Sequence, residues 1–232
     1  MRINPEQMVL VAGWADTRAA LARWNSRPGP VLRTWILVSC AVGILLLMAT
    51  WAVASLNTIP AVPRLFAGSN TQPTASSLHI FARNMLVLIM HALICIAGYM
   101  AAASVPIASD AYTGWVRRVH QAATPLAFIF IISVTCLSFS LQALTLGRGA
   151  AVIAHHYNMP VSELLLLLTP HALPELTAMF LPLGAWLVLA RQRAYRDLFA
   201  ASILTVAIAT PILAASALIE VYVSPRIFAA LT

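Results

Sequence analysis

Five polar side chains with chemistry to offer stand in strongly apolar surroundings. Arg83 and Asn84 occur in "FARNM", His171 and Glu175 in "TPHALPEL" (169–176), together with Pro170 and Pro174, and Glu220 in "ALIEVYVSP". His171 and Glu175 are four residues apart, which puts both on one face of a helix and within reach of each other. A carboxylate beside an imidazole, with a second carboxylate and a guanidinium from elsewhere in the chain, can hold an ion, relay a proton or close a helix bundle with a charge pair. A charge at the centre of a bilayer costs about 2.5–3.5 kcal/mol on insertion scales, so such groups pair with one another or line a cavity. One arginine against two carboxylates leaves a net negative site unless one acid is protonated or a cation is bound. His91, two turns beyond Asn84 and followed by Cys95, is a candidate extension of this polar set along the same helix. His171, Glu175 and Glu220 could supply three N/O ligands, yet no HExxH or comparable spacing accompanies them and no nucleophile is evident. The expectation is therefore no catalytic residue, no cofactor and no metal centre; His155 and His156 read as solvated loop.

The elements that must position these groups are membrane spans. The 232 residues are 61% hydrophobic and 9% charged, with a mean hydropathy of +0.86, far outside the soluble range. Spans of about 20 apolar residues cross a hydrocarbon core, and five fit the sequence, near 35–56, 80–104, 122–145, 170–190 and 200–222. The fold class is all-α, a polytopic membrane helical bundle of about five transmembrane helices with a broken or re-entrant segment before the fourth. That segment follows from "PVSELLLLLTPHALPEL": Pro170 and Pro174 remove backbone donors, so the pattern predicts a kink at 169–170 and a crossing helix over 170–190. Residues 1–34 form a cytoplasmic or interfacial N-terminal helix, capped by Asn4 with Pro5 in its first turn, and 35–232 the transmembrane domain. The segment 57–79 reads as a loop.

All 14 basic residues are arginine, and the formal charge is +7. With a cytoplasmic N-terminus and five crossings, ten arginines fall inside and four outside, which the positive-inside rule favours. This topology brings Arg83, Asn84, His171, Glu175 and Glu220 to a similar depth in the outer leaflet. It also places Arg83 within salt-bridge or one-water reach of Glu175 or Glu220. The arginines are scattered between spans, so lipid rather than nucleic acid is the expected partner. Cys40, Cys95 and Cys136 all lie in spans and should not form disulfides. No cleavable leader is expected, the first span serving as a signal anchor. Gly98, Ala102, Ala207, Ala214 and Ala215 permit close helix contact and hence a homodimer.

"TPHALPEL" resembles the P-H-G-x-P-E-L signature of the stage II sporulation protein M family. "FARNM" resembles its F-x-x-N entry to an early span, and "ALIEVYVSP" its closing motif. Ala172 stands where the family has glycine, and "LGRGAAV" lacks its Asn-Gly pair. The resemblance covers about 80–228 and implies a multi-pass protein of the bacterial inner membrane, a non-enzymatic scaffold of a membrane or cell-envelope complex that remodels peptidoglycan. Other membrane or envelope proteins would be its partners. The rival reading is a transporter or channel with an ion or substrate site at Glu175, Glu220 and His171, since discontinuous helices build such sites in carriers.

Overall fold

The computed structural model describes residues 9–57, 73–104, 113–223 and 226, and every regular element among them is helical. In order they are α1 (Val9–Ser26), α2 (Pro28–Leu56), α3 (Pro73–Tyr99) with a π-turn at Met100–Ser104, α4 (Gly114–His156), α5 (Val161–Met179), α6 (Leu181–Arg191), a 3-10 turn at Tyr195–Asp197, and α7 (Leu198–Tyr222). Among the described residues, four helices are long and apolar enough to cross a bilayer: α2, α3, the Phe128–His156 part of α4, and α7 with its leading turn. α5 and α6, bent by 50° at a break, make a fifth if taken as one span. This is the expected all-α bundle of about five spans with a broken segment.

Three boundaries differ from the sequence expectation. α3 starts at Pro73, inside the expected 57–79 loop, of which 58–72 lies outside the described residues, as do Asn4 and Pro5. The third span is not 122–145 but Phe128–His156, so His155 and His156 are exposed on the last helical turn rather than in a loop. The helix runs through Gly147 because glycine is required there: a Cβ would sit 2.6 Å from the Val53 Cβ, so α4 and α2 touch backbone to side chain. The third difference concerns the break. Pro170 and Pro174 lie inside a continuous α5, and the chain bends at Phe180 instead.

Pro182 accounts for the position of the bend. It occupies the first turn of α6, where a missing N–H costs nothing, while its ring would clash within a continuing helix. Phe180 adopts φ −90°, ψ 2° to turn the chain. The break is enclosed by protein, with Phe180 and Leu181 almost inaccessible, as irregular backbone at membrane depth must be. Ser39 of α2 shares its hydroxyl between Trp35 O (2.7 Å) and Phe180 O (3.2 Å), and Cys95 of α3 donates to Pro182 O (3.2 Å). Close approach of α2 demands Gly184, where a Cβ would fall 2.2 Å from Ser39 Oγ and 2.8 Å from Trp35 O.

Small residues let the helices meet, since lipid supplies no hydrophobic drive between spans. α2 buries Ser39, Gly43, Leu46, Thr50 and Ala54 on one stripe; α7 buries Ala201, Thr205, Ala209, Leu213 and Ala217 at intervals of four. α3 packs extensively on α7, and α2 on α4 and α5. α1 lies against the opposite end from Glu220, burying Gly13, Thr17 and Ala20, while Trp14 and Arg18 face outward in a cation–π contact at 5.5 Å. Arg23 of α1 pairs with Asp197 at 2.6 Å.

Candidate functional site

α3, α5 and α7 pack pairwise, and the polar residues singled out by sequence lie on these three helices. Asn84, 4% exposed on the inner face of α3, donates its side-chain amide to Glu175 Oε1 on α5. This bond ties the two helices directly. It also satisfies a carboxyl group that is only partly accessible, where an unpaired one would be costly. Arg83, the neighbour of Asn84, points to the exposed side of α3 and makes no ion pair within 4.0 Å of either acid among the described residues. Of the two forms expected, a direct salt bridge is absent among the described residues, and Glu175 takes an amide donor from Asn84 instead. Arg83 still lies within electrostatic reach of both Glu175 and Glu220, and the two acids are within reach of each other.

Thr210 of α7 stands 3.8 Å from Met85 Sδ, which levels it with Asn84. Glu220 follows ten residues later, about 15 Å farther along the helix, and is exposed. His171 is partly buried one turn before Glu175, but no hydrogen bond or ion pair joins the two among the described residues. Pro174 is exposed on the same helix and does not break it.

His91 belongs to a different neighbourhood. Its Nδ1 lies 2.8 Å from Val87 O, which assigns the proton to that nitrogen, and its ring stands edge-on to Phe180 at 5.0 Å. With Cys95 it lines the helix break rather than extending the outer polar set. Sequence reasoning passed over Ser39, Phe180, Pro182 and Gly184; the signal available was the "PLG" in "MFLPLGAW", a proline and glycine separated by one residue inside an apolar run. Gly98 faces Trp186 and Leu198 of the same chain, so its small size serves internal packing. The three cysteines are free thiols, and no group of three His, Cys, Asp or Glu suited to a metal ion occurs among the described residues.

Apolar helices of this length, with polar groups gathered between them, define an integral membrane protein with several spans. No protein-family model, curated protein or solved structure matches the chain.

Proposed function

We propose that the protein is a non-enzymatic scaffold of a membrane or cell-envelope complex in a bacterial inner membrane, in keeping with its resemblance to the stage II sporulation protein M family. The observation that carries this reading is the enclosed break. The carbonyls at Phe180 and Pro182 take side-chain donors from α2 and α3, and Gly184 lets α2 close directly on α6. A bent span locked in this way presents a fixed shape to partners and has no need of an open path. The test is blue-native electrophoresis of the membrane complex: Glu175→Gln leaves its size unchanged, whereas Gly184→Leu releases the chain from it. Loss of assembly with Glu175→Gln alone would overturn the scaffold reading.

A second reading, a transporter or channel, has its own support: two carboxylates and one guanidinium lie within electrostatic reach of one another on three different helices. It requires Glu175→Gln to abolish ion flux in proteoliposomes while fold and complex persist. In both readings the N-terminus is cytoplasmic and the C-terminus outside. α1, the π-turn after α3 and the 3-10 turn before α7 share one end of the bundle, and Arg18, Arg23, Arg27, Arg33, Arg191, Arg193 and Arg196 lie in or beside these segments. A cysteine at Arg193 should be shielded from an impermeant reagent in intact cells and one at Asn158 labelled; the reverse pattern would invert the topology.

A further inference from the structure

α1 and α2 form a hairpin around Arg27, whose N–H bonds to Trp24 O at 3.1 Å. Residues of α1, α2 and α7 enclose the space beside this turn. The result is a cleft of about 280 Å³ lined by Leu21, Trp24, Val31, Leu32 and Leu204, with Asn25 as its polar lining residue. Trp24 is held edge-on to Trp35 at 5.0 Å, which fixes one wall. The cleft is open at its side, and its lining is almost wholly apolar.

Charge and depth identify the occupant. Arg27 and Arg33 are exposed, stand next in sequence to the lining residues Pro28 and Leu32, and have no ion pair among the described residues; Arg23, on the same hairpin, is already tied to Asp197. Among the described residues, this end of the bundle carries seven arginines in or beside α1, the start of α2 and the turn before α7, against Asp16 and Asp197. The apolar floor runs inward from that basic rim: Leu204 lies six residues past the start of α7, about 9 Å along the helix. Polar sequence gives way to an unbroken apolar run just beyond Arg33 and Thr34, so the rim sits at headgroup level and the floor at the level of the upper acyl chain. A peptide or a second copy of the chain would meet the apolar floor but would not need this stacking of charge above hydrocarbon.

We infer that the α1–α2–α7 cleft is a binding site for one anionic phospholipid, with an acyl chain along Trp24, Leu32 and Leu204 and the phosphate held by Arg27 and Arg33. Basic pockets between spans recognise anionic headgroups in this way, each arginine near the surface contributing about five-fold in affinity. The site is independent of the Glu175 region and of the proposed scaffold role.

Native mass spectrometry of the full chain, released from detergent containing equal phosphatidylglycerol and phosphatidylcholine of identical chains, tests it. One phosphatidylglycerol should be retained per chain. The double variant Arg27→Gln/Arg33→Gln should bring the two lipids to parity with an unchanged melting temperature in lipid-free detergent. Leu204→Trp, which fills the floor, should lose the bound lipid; Val31→Phe serves the same purpose from the other wall should the first variant misfold. Equal retention of both lipids by the parent chain, preference surviving in the double arginine variant, or a bound lipid undisturbed by the folded cleft-filling variant would each overturn the proposal. So would a parent dimer that the cleft-filling variant turns into a monomer, because the occupant would then be a second chain.

Discussion

The two halves of the bent span treat proline in opposite ways. In α5, Pro170 and Pro174 are exposed, four residues apart on one face, and the helix continues through both. Its threonines stay inside the helix as well, Thr169 bonding to Leu165 O and Thr177 to Leu173 O, each at 2.7 Å. At the start of α6, Pro182 is buried and the helix stops ahead of it. The difference lies in what surrounds the ring. On an outward face a proline can be absorbed by gentle curvature. In the interior, Gly184 admits α2, while Ser39 and Cys95 bond the carbonyls beside the turn. A proline permits a break, and neighbouring helices decide whether it happens.

The most severe way to test this contrast is Gly184→Leu, which places side-chain atoms where the α2 backbone already lies. It should cost more than about 3 kcal/mol, at the upper end of overpacking effects, in unfolding by dodecyl sulfate titration. A cost below about 1 kcal/mol would mean that α2 does not lock the bend. Next comes Asn84→Ala, which strips Glu175 of its amide partner and should cost about 1–2 kcal/mol. A double-mutant cycle with Glu175→Ala should return a coupling of about 0.6–1.7 kcal/mol, and zero coupling would dissolve the α3–α5 contact. The Pro170→Ala/Pro174→Ala pair should not lower stability, since removing the prolines restores helix propensity and loses no contact. Spin labels on the exposed Leu166 and Leu187 should report the same distance distribution before and after; a shifted distribution would return the hinge to the prolines of α5. Smallest is Arg23→Gln, which breaks an ion pair whose arginine is 57% exposed and should cost no more than about 1 kcal/mol.

Span number and helical class were legible because apolar runs of this length have few other solutions in a bilayer. The end of α4 was not. "LGRGAAVIAHH" carries two glycines, an arginine and two histidines, all loop-like locally, and only the presence of α2 against Gly147 makes a helix the better packing. The same limit applies to the site. Topology was enough to bring Asn84 and Glu175 to one region of the bundle, and the structure joins them. Charge alone pointed to Arg83 as the partner of Glu175 or Glu220, yet the inner face of α3 that meets Glu175 belongs to Asn84, a difference of one residue and about 100° around the helix. The break was expected ten residues too early because two prolines in a polar motif outweighed one in an apolar run, and burial cannot be read from either.

The bend also has a consequence for the membrane as a material. Laid end to end, α5 and α6 would measure about 45 Å, well beyond a hydrocarbon core of roughly 30 Å. Turning the 11 residues of α6 through 50° reduces the vertical reach to about 39 Å and carries its far end sideways by about 13 Å. The span is therefore shorter and wider than a straight one. Opening the angle would lengthen the chain along the membrane normal and narrow its footprint, a change that the bonds from Ser39 and Cys95 to the carbonyls at the turn resist.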